Sequence, residues 1–375
     1  MKPTCILYLF GFLFVLFLTG GCKKDSYWEK DVRTSITAPT NLQPMNSDII
    51  ALDPNSNAVT VLSWDMAHTA DQTMVFYKVL FDKANGDFMH PIDSMQTGHV
   101  SSDTTLNLTD KQLNILADKA GIEELSEGTV IWKVVASNGV VAITSDNYGE
   151  IKVQRPAGFA LPPSQLSIYG NATESSDQSQ ALPFKKLSDG VFEIYTSLSN
   201  GSYELTDGST SFQVEGNSIK KGTTSTSPTT EKKAYRIHID FNISQVVLTE
   251  IKTVGLWFAA DNKVTMVLPY IGDGVWKIEN TPIKFSQQSW GKDERYKFRV
   301  TEVDMEGNST NVFWSSKNKD NQRPTSSSNL NYYYLAGHDG SQWDYTFKFM
   351  QETEDADIAV QFQSSGDYTH TVTYH

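Results

Sequence analysis

Two cysteines in 375 residues leave almost no room for disulfide chemistry, and both, Cys5 and Cys22, sit near the start of the chain. A body without cross-links must hold itself together by burial, which a domain of about 100 residues or more can do. Basic residues are also short: 31 Lys and Arg face 44 Asp and Glu, a formal net charge of -13. That balance excludes nucleic acid as a partner, because such binding rests on cations neutralising phosphates. An uncharged partner fits better. The seven histidines are scattered, with no His-x-x-x-His pair, no Gly-x-Ser-x-Gly elbow and no phosphate-cradling glycine loop. Asp53-Pro-Asn-Ser-Asn57 resembles the start of a calcium loop, but Ala58 stands where glycine is needed and no Glu closes it, so a turn is expected. Acidic pairs such as Glu123-Glu124 would need a cleft holding two carboxylates ~5 to 9.5 Å apart to act as a glycosidase dyad. No enzyme, metal or cofactor is therefore expected.

Long apolar runs are limited to one, Ile6 to Leu18. It is shorter than the ~20 residues that span a bilayer. With Lys2 before it and Thr19-Gly20-Gly21-Cys22-Lys23-Lys24-Asp25 after it, the segment has the three parts of a secretory signal. Small residues leading into a cysteine resemble bacterial lipoprotein precursors, in which that cysteine is acylated and becomes the new N-terminus. Thr19 stands where leucine is usual. Cleavage would remove residues 1–21 with Cys5, leaving Cys22 as the only cysteine, and a lone cysteine in an exported chain calls for a reason. A lipid supplies one. Residues 22–36 then form a polar tether without periodicity.

What is present in quantity is aromatic: 11% of the residues, with eight Trp and sixteen Tyr. β-Branched and aromatic runs at Val59–Trp64, Val75–Phe81, Thr129–Ala136 and Glu150–Val153 predict the strands of a sandwich over residues 37–156. Thr109-Asp-Lys-Gln112 is a capping box, followed by Leu113, Leu116, Ala117 and Ala120 at helical spacing and by Gly121 as a stop. One short helix is expected there. After a Pro and Ala linker from Pro156 to Pro163, short strands are predicted at Gln165–Gly170, Asp189–Ile194, Gly201–Leu205 and Ala234–Phe241, with Ser218–Lys233 as a polar loop. From about Glu250 the order returns: Thr253–Phe258, Asp273–Ile278, Arg295–Val300 and Trp343–Phe349. Asp273-Gly-Val-Trp-Lys-Ile278 matches Asp189-Gly-Val-Phe-Glu-Ile194, which predicts a diverged tandem repeat over residues 164–250 and 251–375.

The lipoprotein cysteine, the Thr37-Ala-Pro39 start with Trp64 and Ile131-Trp-Lys-Val134, and the Asp-Gly-Val-aromatic turns together resemble the SusE and SusF family. These are starch-binding lipoproteins of Bacteroidetes polysaccharide-utilisation systems. The resemblance implies an all-β chain of tandem β-sandwiches: a fibronectin III or Ig-like spacer, then two carbohydrate-binding-module-like domains. It implies non-catalytic binding of starch or another polysaccharide at the cell surface, a lipid anchor in the outer membrane and a SusC/SusD-like transporter complex as partner. A structural or docking role in that complex, without glycan binding, is the alternative.

The family stacks sugar rings on two aromatic side chains while polar groups bond the hydroxyls, since one face of a pyranose is lined with C–H groups and its edge needs hydrogen bonds. Gly170-Asn-Ala-Thr173 is followed by no aromatic, and Phe184, Phe192, Tyr195 and Phe212 are expected in the core. The last repeat is richer. Trp290 and Trp314 both stand beside polar, turn-forming residues, Lys317 and Asn318 follow Trp314, and one of the consecutive Tyr332-Tyr333-Tyr334 must face away from its neighbours if the run is a strand. Trp290, Trp314, Lys317, Asn318 and Tyr333 are the candidate glycan contacts, and Trp257, Trp276 and Trp343 are expected as core anchors.

Overall fold

The computed structural model describes residues 35–53, 56–98, 103–319, 321–338 and 341–375. The signal, Cys5, Cys22 and the tether up to residue 34 lie outside the described residues. The chain divides into two compact units, one ending at Pro156 and the other running Ala157–His375.

The first unit is a two-sheet sandwich. Thr40–Gln43, Val59–Asp65 and Thr105–Thr109 form a three-stranded antiparallel sheet. Phe76–Lys83, Asp93–Gln96, Glu127–Ser137, Ala142–Thr144, Gly149–Gln154 and the short Ile50–Ala51 form the second. Alternation decides what lies between them. Leu62 and Trp64 from one sheet meet Tyr77, Val79, Trp132 and Val134 from the other, and the Trp64 ring lies 5.6 Å from Tyr77 and 6.4 Å from Trp132. The helix Asp110–Lys119 starts at the predicted capping box: Gln112 N–H donates to the Thr109 hydroxyl, and Thr109 N–H donates to the Gln112 side chain. It buries Leu113, Leu116 and Ala117 and ends at Gly121, whose φ of 79° suits the left-handed position after a helix.

The strands of the second unit pair in two successive sets. In the first copy Ser167–Tyr169 pairs with Ser202–Thr206, which pairs with Ser211–Glu215. The hairpin Lys185–Ser188 and Val191–Leu198 pairs through its second strand with Lys233–Asp240, which pairs with Gln245–Phe258. In the second copy that same 14-residue strand Gln245–Phe258 pairs with Arg295–Val303, which pairs with Ser309–Ser316. The hairpin Tyr270–Gly272 and Val275–Ile278 pairs with Ala356–Gln361, which pairs with Thr369–Tyr374. The same pattern thus occurs twice, with one strand serving both copies. The expected boundary at 250/251 falls inside it.

Each copy has its own core. The first is closed by phenylalanines meeting edge to face, Phe241 lying 5.9 Å from Phe192 and 4.9 Å from Phe212; Phe184 is buried nearby. The second centres on Tyr296, Phe298, Phe347 and Phe349. Trp276, 2% exposed, lies in the second core: its ring meets Tyr270 at 4.6 Å and, at 6.2 Å, Tyr195, which the first copy's strand Val191–Leu198 contributes to that core. Trp257 is also buried. Two expectations are corrected here. Ser218–Lys233 is not a plain loop, since Ser218–Lys221 pairs with Ser211–Glu215 and Ser225–Thr226 pairs with the Ser202 strand. Trp343–Phe349 is not the closing strand: only Phe347–Lys348 is extended, and Ala356–Gln361 takes the closing position.

Candidate functional site

Trp290 is placed by the shortest kind of hairpin. Ser286–Gln288 pairs with Gly291–Asp293, with Gln288 opposite Gly291, so only Ser289 and Trp290 form the turn. A residue at such a tip has no facing strand, and Trp290 is 63% exposed. Gly291 has a φ of 127°, a conformation that favours glycine, and its open side faces no neighbouring atom.

The partner of Trp290 is Trp343. Their ring centroids lie 6.3 Å apart with planes at 76°. Trp343 is 36% exposed, so it is a surface residue and not the expected core anchor. The reason is a turn: the Asp344 carboxylate accepts bonds from the Ser341 N–H and hydroxyl, and Trp343 N–H donates to the Ser341 hydroxyl. Ser341-x-x-Asp344 is a signature of such a turn, and sequence reasoning passed over it in favour of a strand.

Arg295 supports the pair from one side. Its guanidinium carbon lies 4.3 Å from the centre of the Trp343 ring, a cation–π contact. Its Nε donates to both carboxylate oxygens of Asp293, at 3.0 and 3.1 Å, which fixes the guanidinium plane. Burial works against the charge on Asp293, but the Arg295 bonds outweigh it and hold the carboxyl below its ordinary range. Lys297, 2% exposed, donates from Nζ to the Ser341 carbonyl at 3.0 Å and ties down the Trp343 turn, while Gln342 donates to the Ala259 carbonyl at 3.1 Å. Burial pulls the Lys297 ammonium down. The strands of the Trp290 hairpin carry polar side chains: Gln287 is exposed, Gln288 donates to the Ser286 hydroxyl at 2.8 Å, and Lys292 pairs with Glu352 at 2.5 Å. The corner thus offers an open aromatic face, a second ring almost perpendicular to it and hydrogen-bonding side chains on the hairpin strands.

The other candidates lie elsewhere in the copy. Trp314 belongs to the strand Ser309–Ser316 and packs against the core, its ring 5.1 Å from Phe362 and 5.5 Å from Tyr368. Lys317 pairs with Asp367 and lies 5.3 Å over the Tyr334 ring; Asn318 is exposed and its N–H donates to the Ser316 hydroxyl. Tyr333 is in a single helical turn, Leu330–Tyr333, not in a strand, so the alternation argument does not hold for it. Its carbonyl is 3.0 Å from Nδ1 of the buried His370, and its ring packs on the core.

In the first copy, Glu174 follows Gly170-Asn-Ala-Thr173 and turns inward. It accepts bonds from the Ser197 N–H and hydroxyl, from the Tyr270 hydroxyl and from Asp273 N–H. This segment is committed to the join between the copies.

A family model described as SusE outer membrane protein matches residues 29–135. The match lies within the first unit and bears out the SusE resemblance carried by Thr37-Ala-Pro39, Trp64 and Ile131–Val134. No curated protein and no solved structure matches the chain.

Proposed function

We propose that this chain is a non-catalytic glycan-binding lipoprotein of the outer membrane, anchored through Cys22 and exposed at the cell surface as part of a polysaccharide-utilisation system. The observation that carries the reading is the exposed Trp290 set at 76° to Trp343, with Arg295 behind and Gln287, Gln288 and Lys292 on the hairpin strands. A pyranose stacks its C–H face on the open indole while its hydroxyls bond the polar side chains. Two nearly perpendicular faces suit a curved chain, the shape that α-linkages give a polysaccharide, better than a flat one. The SusE-like first unit serves as a fibronectin III-like spacer, and a SusC/SusD-like transporter is the natural recipient of the captured glycan. Trp314, Lys317, Asn318 and Tyr333 do not enter this site: Trp314 and Tyr333 are packed on the core, and Lys317 is engaged by Asp367.

A glycan array followed by affinity gels identifies the ligand. Trp290→Ala is expected to weaken retention by roughly thirtyfold, as for an aromatic hot spot worth ~2 kcal/mol. Wild-type protein that binds no glycan on the array would favour the docking role. For the anchor, Cys22→Ser is expected to move the protein from the membrane to the soluble fraction, and retention in the membrane would overturn the lipid reading.

A further inference from the structure

Along Arg295–Val303, alternate residues face opposite ways. Tyr296, Phe298 and Val300 enter the core, so Arg295, Lys297 and Arg299 share the other face, the one that carries Trp343 and its turn. Three cations in succession on one strand face stand out in a chain of net charge -13.

Their partners are unequal. Arg295 is neutralised by Asp293, and Asp344 is taken by Lys319 and Ser341. Lys297 has one carbonyl, that of Ser341. Arg299 has no acceptor among the described residues, and its Nε is sealed from solvent. His338 lies one strand further on, its N–H bonded to the carbonyl of Phe313, the residue opposite Arg299. The His338 ring stacks on Tyr345 at 3.9 Å, and its Nε2 is likewise buried without a partner. Arg299 is thus the cation on this face that is left without an acceptor among the described residues. Hydroxyls are poor remedies for that lack because they bring a donor with each acceptor. An oxyanion brings acceptors only and pairs with a guanidinium in a charge-assisted, two-pronged geometry.

Building on the glycan reading of the Trp290–Trp343 corner, we propose that the bound glycan carries an oxyanion, a uronate carboxylate or a sulfate ester, and that Arg299 receives it. The net charge of the whole chain argues for an uncharged partner, but over distances beyond about 8 Å that field is screened at physiological salt. The local cations then decide. Arg295 and Lys297 hold the aromatic turn, and Arg299 is left to the ligand.

The test is calorimetric titration of the full mature chain with three probes: an oligogalacturonate for carboxylate, a carrageenan oligosaccharide for sulfate and maltoheptaose as the neutral reference. Wild type is expected to bind one acidic probe at least tenfold more tightly than maltoheptaose, and which one identifies the oxyanion. Arg299→Gln is expected to lose about tenfold or more for that probe while maltoheptaose is unaffected, and Arg299→Lys to restore part of the loss. If Trp290→Ala abolishes binding but Arg299→Gln leaves every affinity unchanged, the platform stands and the oxyanion proposal falls. If Arg299→Gln abolishes binding of the acidic probe and Trp290→Ala does not weaken it, the anion contact stands and the platform reading falls. Maltoheptaose bound more tightly than both acidic probes would also overturn the proposal.

Discussion

The two copies within Ala157–His375 share one strand-pairing pattern and differ most in two connections. In the first copy the step from Val191–Leu198 to Ser202–Thr206 is only Ser199–Gly201; in the second, the corresponding step from Val275–Ile278 to Arg295–Val303 is Glu279–Glu294, long enough to hold the Trp290 hairpin. The connection Gly216–Lys232 likewise corresponds to Lys317–Asp355, which holds the Trp343 turn. Both lengthened connections bring a tryptophan to the same corner. The sheets set the frame, and the added loops supply the chemistry. Residues 164–250 contain no tryptophan, and Glu174 is spent on the join.

The most damaging way to break the comparison is to remove what both copies lean on. Trp276→Ala, at the buried contact with Tyr195 that joins the two copies, is expected to destabilise the unit by roughly 3 to 5 kcal/mol, read as a lowered denaturation midpoint. Trp314→Ala removes a ring that is only partly buried against Phe362 and Tyr368, and about 2 kcal/mol is expected. Glycan affinity should be untouched in that variant. A Trp314→Ala protein of normal stability that no longer binds would return the site to where the sequence first suggested it.

The cores themselves can be told apart by acid. The strand Thr369–Tyr374 occupies the position that the Val246 and Leu248 end of the shared strand occupies in the first copy, yet it buries His370 completely. The neutral ring donates from Nδ1 to the Tyr333 carbonyl and accepts at Nε2 from the Tyr296 hydroxyl at 2.8 Å. Burial pulls the imidazole from the ordinary 6.5 to about 3, against the opposing bond to Tyr333. Unfolded chain takes up this proton near pH 6.5 and folded chain does not. The stability from neutral His370 is therefore complete above pH 6.5 and is lost as pH falls towards 3, at about 1.4 kcal/mol per unit, or about 2 kcal/mol by pH 5. Thermal unfolding of wild type and His370→Gln across pH 7 to 5 checks this. The variant should show the flatter dependence, and parallel curves would contradict it.

Much of the frame was legible because its strands carry β-branched or aromatic alternation between turn residues, as at Val59–Trp64 and Ala234–Phe241. The capping box at Thr109 was equally plain, because four residues contain the whole signal. The shared strand was not. Its first half, Gln245–Thr249, lies where one repeat was expected to end, and nothing local says that a strand continues into the next module. Tyr332-Tyr333-Tyr334 misled for a different reason: three identical residues carry no period, and the better clue was Asn329, whose side chain accepts from Asn331 N–H and caps the turn. The exposure of Trp290 was legible because polar, turn-forming neighbours mark a tip. Trp343 was assigned to the interior because its partner lies more than fifty positions away and only folding brings the two connections together.

The central claim is that sugar meets this protein at the Trp290–Trp343 corner and nowhere in the packed aromatic core. Indole N–H resonances report it most directly, since each tryptophan gives one signal and single substitutions assign them. On adding the glycan that binds best, the Trp290 and Trp343 signals are expected to shift while those of Trp257, Trp276 and Trp314 stay in place. Shifts confined to Trp314, or saturable binding that moves neither Trp290 nor Trp343, would contradict the account.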